Sequence, residues 1–141
     1  MRTLSVIVVG VAVVASASAL VAQQETTDAS LKALPAGAKI SVTQGTPATG
    51  PSTMQMTLPD GYAVALHRHP TDESVLVISG TYIITYGNSA ETLGAGQKTT
   101  IKANAIHSER AQGPTVIEVT SPAAFKIIYV PSTTTPKAVT P

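Results

Sequence analysis

The three histidines of this chain are the residues best suited to chemistry. His67 and His69 are two residues apart, and in a β-strand that spacing places both imidazoles on one face, about 7 Å apart along the chain. Glu73 follows after a turn-length gap that could bring its carboxylate back toward the same point. Neutral imidazoles with one carboxylate suit Mn, Fe, Co, Ni, Cu or Zn, so the pattern predicts a divalent transition-metal site.

His107 is distant from this group in sequence and can reach it only if a sheet closes on itself. The chain has no cysteine, which excludes disulfides, iron–sulfur clusters and thiol nucleophiles and makes a closed structural zinc site less expected than an open one. Each residue also has a simpler interpretation. A histidine pair on a strand can be exposed without function, a single histidine is often a hydrogen-bonded core group, and Glu73 alone would be a solvated loop residue.

The elements that must position these residues are predicted to be β-strands. Short β-rich runs separated by Gly, Pro, Asn and Asp fill residues 38–130, and no long segment has a helical period. Such runs predict an all-β sandwich or barrel, with a turn at Ser79-Gly80. The predicted strands are Lys39–Thr43, Thr53–Leu58, Tyr62–His67, Ser74–Ser79, Thr81–Tyr86, Gln97–Lys102, Thr115–Thr120 and Phe125–Val130.

The histidine pattern resembles the first motif of the cupin superfamily. That motif is Gly, five residues, His-x-His, three or four residues, Glu, six residues, Gly. This chain has Gly61, His67, His69, Glu73 and Gly80 at those spacings.

The family's second motif is Gly, five residues, Pro-x-Gly, two residues, His, three residues, Asn. Gly96 and His107 match it, whereas Lys102 replaces the proline, Asn104 the second glycine and Ala111 the final asparagine. Asparagine tolerates the left-handed backbone that a glycine would supply, so the change at Asn104 is mild.

The resemblance implies an antiparallel jelly-roll (double-stranded β-helix) barrel with one divalent transition metal inside. The implied ligands are His67, His69, Glu73 and His107, with positions left open for water, substrate or dioxygen. Cupins with these ligands include dioxygenases, isomerases, decarboxylases and non-enzymatic binders.

Three functions follow from this site as alternatives. The first is a secreted metal-dependent oxidoreductase, dioxygenase-like, acting on a small organic molecule, with Glu73 as a candidate catalytic proton acceptor. The second is a non-enzymatic module that binds a small molecule or the metal itself. The third is a metal-free barrel whose strand edges serve assembly.

The wall of the pocket can also be predicted from strand phase. In a regular strand Ala63 and Ala65 share a face with His67, and their small side chains would leave a cavity over the metal. Tyr82 and Tyr86 share a face as well, and we expect them to pack as a cross-strand stripe rather than line the pocket.

The N-terminal residues predict secretion. Arg2, the apolar stretch Leu4–Val14 and the small residues 17–19 are typical of a signal peptide, which predicts a secreted or periplasmic protein. An uncleaved anchor is the alternative, because residues 4–22 are just long enough to cross a bilayer. The predicted organisation is a signal peptide at 1–22, a linker or N-terminal arm at 23–37, the barrel domain at 38–130 and a flexible tail at 131–141.

Composition limits the partners. The 141 residues allow one domain, and the formal net charge of +1 comes from nine basic and eight acidic residues without runs. We therefore expect no nucleic-acid partner, and no membrane partner after signal cleavage. The expected partner is a small-molecule ligand or substrate, with a homodimer through strand exchange or sheet packing as a further option.

Overall fold

Eight β-strands build the part of the chain that the computed structural model describes, residues 31–131. A short 3-10 helix, Leu31–Ala33, precedes them. The strands are β1 (Lys39–Gly45), β2 (Ser52–Leu58), β3 (Ala63–Arg68), β4 (Glu73–Tyr86), β5 (Ser89–Gly94), β6 (Lys98–Ile101), β7 (His107–Ser121) and β8 (Ile128–Tyr129). The predicted signal peptide and residues 132–141 of the predicted tail lie outside the described residues.

The long strand β7 is the centre of the sheet. Its first half pairs with β3 and with the second half of β4, and its second half pairs with β2 and with the first half of β4. β4 also pairs with β5 and β6, and every pairing is antiparallel. The fold is therefore the predicted all-β antiparallel jelly roll of the double-stranded β-helix type.

The predicted turn at Ser79-Gly80 is wrong, because β4 continues through both residues. The pairing of β4 with β7 shifts register on each side of Ser79, so the chain forms bulges here instead of reversing. Gly80 has a φ of +85°, and a Cβ built on it would clash with the Pro114 carbonyl oxygen. The glycine thus permits two strands to approach closely, a role that local sequence does not distinguish from a turn.

Two strand segments were not predicted. One is β5, and the other is the first half of β7, residues 107–114. Both are rich in polar and small residues with weak intrinsic strand preference. They form strands because β4 pairs with both of them along its second half, so tertiary pairing decides their conformation.

The core lies inside the curved sheet. The alternating residues Met54, Met56 and Leu58 of β2 are buried against it, as expected for a strand that lies between β1 and β7. Within the described residues no helix is long and apolar enough to cross a membrane.

The described end of the predicted arm packs on the barrel. Leu31 is buried in the core cluster, and Leu34 packs against that cluster. The Tyr62 hydroxyl donates a hydrogen bond to the Pro35 carbonyl at 2.9 Å, and the Tyr129 hydroxyl donates one to the Ala33 carbonyl at 2.6 Å. These contacts hold the segment across one end of the core.

Candidate metal centre

Strand pairing brings the predicted histidines together. His67 is near the end of β3, and its pairing partner across the ladder is His107, the first residue of β7. His69 follows β3 directly, and Glu73 is the first residue of β4. The four residues that the resemblance implied as ligands therefore lie at neighbouring strand ends.

The three imidazoles form one compact cluster in the interior. His67 and His107 are 0% exposed and His69 is 4% exposed. Their potential ligand atoms all lie within 4.8 Å of one another, and the Nε2 atoms of His67 and His69 are 3.1 Å apart. This group could hold a metal ion.

Backbone carbonyls fix the tautomer of each ring. The Nδ1 atom of His67 lies 2.7 Å from the carbonyl oxygen of Ala65, and the Nδ1 atom of His107 lies 2.8 Å from the carbonyl oxygen of Ala105. The Nδ1 atom of His69 lies 2.7 Å from the carbonyl oxygen of Lys126. A carbonyl oxygen only accepts hydrogen bonds, so each Nδ1 carries the proton and each Nε2 presents a lone pair.

The Nε2 lone pairs are poorly satisfied within the protein. The buried Nε2 of His107 has no hydrogen-bond partner, and the Nε2 atoms of His67 and His69 face each other without a proton to share. Ligands of one ion with metal–nitrogen bonds of about 2.1 Å lie about 3 Å apart when adjacent and at most about 4.2 Å apart. The 3.1 Å between the His67 and His69 Nε2 atoms meets this limit, whereas the widest separation in the cluster, up to 4.8 Å, is slightly larger, so the rings would draw together around a divalent transition metal.

Burial keeps these rings neutral, which is the form that binds metals. Removal from water lowers the pKa of His67 and of His69 to about 4 and also lowers the pKa of His107. The Nδ1 hydrogen bonds to backbone carbonyls oppose this shift but do not outweigh it.

Glu73 adds a carboxylate to the same point. Its Oε2 lies 3.4 Å from the His69 Nε2, and its side chain is buried. Burial raises the pKa of Glu73 well above the ordinary range, and the nearby charge of Glu109 raises it further. A bound cation would reverse this shift by stabilising the carboxylate.

Glu109 is a second buried carboxylate that sequence reasoning missed. It lies two residues after His107 on β7, so both side chains point to the same face. Its Oε1 is 3.7 Å from the His107 Nε2 and its Oε2 is 3.8 Å from the His67 Nε2. The two-residue spacing of His107 and Glu109, the same as that of His67 and His69, could have indicated this carboxylate. It was missed because the predicted strand began only at Thr115, so His107 and Glu109 were not placed on a strand.

Burial raises the pKa of Glu109 to about 7, while hydrogen bonding with the Tyr82 hydroxyl opposes the shift. Tyr82 is itself buried, and its pKa is raised by burial and by the Glu109 charge. The cluster thus contains two carboxyl groups and one phenol that all favour their neutral forms when no cation is present.

The cavity beside the cluster differs from the predicted pocket. It has a volume of about 20 Å³, room for about one water molecule. Ala63 and Ala65 are exposed, whereas Val64 is buried and lines the cavity. The prediction failed because the pairing of β3 with β7 shifts register between Val64 and His67, which reverses the phase of the strand.

The prediction for Tyr82 was also wrong, because Tyr82 lines the cavity together with Glu73 and Glu109. Tyr86 lies outside the lining, with its ring 5.9 Å from that of His107. Leu34, from the segment before β1, also lines the cavity.

The loop before His107 is anchored to the loop after β3. The Asn104 backbone N–H donates to the His69 carbonyl at 2.7 Å, and the Arg68 Nη1 donates to the Asn104 Oδ1 at 2.8 Å. Asn104 has a φ of +63°, as expected for the residue that stands in place of a glycine. Lys102 is exposed and pairs with Asp72 at 3.0 Å, so it lies away from the cluster.

Solved structures with similar folds agree with this architecture. A proposed acetylacetone dioxygenase from Methylibium petroleiphilum PM1 is 18% identical, with a TM-score of 0.59 over 70% of this chain and 69% of its own. A conserved protein with a double-stranded β-helix domain from Klebsiella pneumoniae is 23% identical, with a TM-score of 0.55 over 68% of this chain and 86% of its own. These likenesses show the fold alone.

Family membership rests on the match to a family model. A cupin-2 domain protein from Shewanella frigidimarina NCIMB 400 is 23% identical, with a TM-score of 0.51 over 57% of this chain and 76% of its own. No functionally curated protein matches this chain. The family model described as "Cupin domain" matches residues 54–121, a range that includes all three histidines and both glutamates of the cluster. The chain belongs to the cupin superfamily.

Proposed function

We propose that this protein is a secreted metal-dependent oxidoreductase, dioxygenase-like, that acts on a small organic molecule. One divalent transition metal would be held by His67, His69, Glu73 and His107. The observation that carries the proposal is the set of three buried Nε2 atoms that converge, with that of His107 left without a hydrogen-bond partner. A metal held there would supply Lewis acidity and open coordination positions.

The residues of the chain have separate roles in this proposal. The three backbone carbonyls orient the imidazoles before any metal arrives, which lowers the cost of forming the site. Glu73 is the candidate proton acceptor, because its buried carboxyl group can hold a proton at the site. The apolar wall, which includes Met56, Val64 and Phe125, keeps bulk water away from these groups.

Metal analysis is the first test. Untagged wild-type protein should contain or take up close to one equivalent of a transition metal per chain. Less than about a tenth of an equivalent of every metal tried, after reconstitution, would instead support the metal-free barrel.

Oxygen consumption tests the reaction. A dioxygenase transfers both atoms of dioxygen to its organic substrate, so oxygen uptake should need no added reductant. Catechols, flavonols and diketones are suitable probes, the last because one similar fold is a proposed acetylacetone dioxygenase. Uptake should be lost in the His107→Ala variant, and uptake that persists there would contradict the assigned site.

A second candidate function is binding without turnover. The cavity has room for about one water molecule, which suits storage or transport of the metal better than enclosure of an organic substrate. Stoichiometric metal binding with no oxygen uptake by any probe would favour this alternative.

Secretion is proposed from the N-terminal sequence. The mature chain should begin at Leu20 or Gln23, because the small residues before each position suit a signal peptidase. Mass spectrometry of protein recovered from outside the cytoplasm checks this. A membrane-bound product that keeps residues 1–22 would support the uncleaved anchor.

A further inference from the structure

We infer that Glu109 is a direct metal ligand, which makes the site one of three imidazoles and two carboxylates. The inference rests on the proposed metal-binding function and deepens it. Glu109 lies outside the residue pattern that indicated the other four ligands, so the geometry of the folded chain alone points to it.

The position of Glu109 relative to the histidines is the first argument. Each of its two carboxylate oxygens faces a different histidine, Oε1 toward the His107 Nε2 at 3.7 Å and Oε2 toward the His67 Nε2 at 3.8 Å. Both distances are below the limit of about 4.2 Å for two ligands of one ion with bonds of about 2.1 Å. Glu73 approaches the third ring, at 3.4 Å from the His69 Nε2. Each carboxylate therefore lies within this limit of a histidine nitrogen, beside the three imidazoles whose ligand atoms lie within 4.8 Å of one another.

The hydrogen-bond pattern is the second argument. Glu109 cannot accept a proton from His67 or His107, because both rings donate from Nδ1 to backbone carbonyls. When Glu109 is ionised, its oxygens and the two Nε2 atoms therefore present lone pairs to one another inside the protein, where Glu109 is 8% exposed. Facing lone pairs in a buried cluster are stabilised when a cation lies between them.

Charge balance is the third argument. Neutral imidazoles leave a bound divalent ion with two positive charges in a buried site, and Glu73 alone would compensate one of them. The carboxylates of Glu73 and Glu109 together compensate both. Two carboxylate ligands also give the site more hard oxygen donors than one carboxylate would. A five-ligand site of this kind therefore favours Mn²⁺ or Fe²⁺ more than the four-ligand site does.

The competing interpretation is that Glu109 only accepts a hydrogen bond from Tyr82 and supports the cluster indirectly. Affinity alone does not separate the two roles, because a hydrogen-bonding neighbour of a ligand can change metal affinity by 10- to 100-fold. The coordination number of the bound ion distinguishes the two roles, because removing Glu109 changes that number only if Glu109 is a ligand.

Cobalt(II) provides this measurement. Its visible d–d absorption strengthens as the coordination number falls, so Co²⁺ titrated into the untagged wild-type protein, Glu109→Gln and Tyr82→Phe reports the ligand set. We expect Glu109→Gln to bind Co²⁺ at least about 10-fold more weakly than wild type, with a clearly changed d–d spectrum. Tyr82→Phe should keep the wild-type spectrum, because it removes the hydrogen bond and leaves the carboxylate. A wild-type spectrum in Glu109→Gln would overturn the inference.

A crystal structure of the Co²⁺-loaded wild-type protein gives a second test that needs no variant to fold. A Glu109 oxygen should lie at bonding distance, about 2.0–2.2 Å from the ion. An ion bound by the histidines and Glu73, with Glu109 beyond about 3 Å, would overturn the inference and leave the proposed function intact. If wild-type protein binds neither Co²⁺ nor Mn²⁺, the proposed function and the inference both fail.

Discussion

At the scale of single residues, the site depends on which nitrogen of each histidine carries the proton. Three carbonyls, from Ala65, Ala105 and Lys126, fix this choice. Two of these carbonyls belong to residues two positions before the histidine they bind, so the local backbone itself prepares His67 and His107 as ligands. The rings are thus oriented by contacts that exist without a metal.

Replacing His107 with alanine should weaken metal binding by about 100-fold or more, beyond the range expected for a neighbour of a ligand. The substitution removes a fully buried Nε2 that has no other partner. Isothermal titration calorimetry with Co²⁺ or Mn²⁺ measures the change. Arg68→Ala is the control, because Arg68 contacts Asn104 and not the cluster. Equal loss in both variants would contradict the assignment.

Glu109 should make the metal-free protein less stable as the pH rises from about 4.5 to 7. Its pKa is about 7 in the folded protein, against an ordinary value of 4.5, so the folded state binds a proton that the unfolded state releases. Stability is therefore present at low pH and is lost with rising pH, by on the order of 2–3 kcal/mol.

Urea unfolding in the presence of a chelator, at several pH values, measures this effect. The stability of Glu109→Gln relative to wild type should increase between pH 4.5 and 8, because the variant lacks the titrating group. The depressed pKa values of His67 and His69 act in the opposite direction in both proteins and cancel in the comparison. Removing the Glu109 charge also lowers the raised pKa of Glu73, which adds to the difference in the same direction. A pH-independent difference would show that Glu109 is ionised in the folded protein.

At the scale of elements, two long strands connect the halves of the barrel. β4 and β7 each pair with different neighbours along their two halves, and each contains a glycine with positive φ, Gly80 and Gly113. The bulges at Gly80 let the sheet bend while the same two strands stay paired. This bend brings the start of β7, with His107 and Glu109, beside β3.

Gly80→Ala should destabilise the protein by about 2–4 kcal/mol, because the added Cβ meets Pro114 and Thr115 as well as an unfavourable φ. Gly96→Ala is the matched control, since Gly96 has a similar φ of +82° but nothing within 4 Å of the added Cβ. The Gly96 variant should lose only about 1 kcal/mol. Thermal or urea unfolding measures the stability of both variants. Equal losses of stability would contradict the prediction, because they would show that the contact of the added Cβ with Pro114 and Thr115 does not destabilise the protein.

At the scale of the whole molecule, metal binding and stability should be coupled. An ion that binds only the folded chain stabilises it by about 2.7 kcal/mol at a free concentration of 100 times Kd. For a domain of this size that predicts a rise in Tm of about 10 °C or more. Differential scanning fluorimetry should show the rise with wild type, its reversal by a chelator, and little change with His107→Ala. An unchanged wild-type Tm at saturating metal would contradict the coupling.

The sequence alone predicted the all-β fold class, because short β-rich runs separated by turn residues are a local signal. Its resemblance to the cupin motifs singled out His67, His69, Glu73 and His107 as candidate ligands, and strand pairing brings these four residues together. The tertiary structure decided what lies around that pattern. Because of the register shift in β3, Val64 lines the cavity instead of the predicted Ala65. Pairing with β4 gives the segment that carries Glu109 its strand conformation. Both depend on contacts between strands far apart in the chain, which hydrogen bonding and packing set only once the sheet has formed.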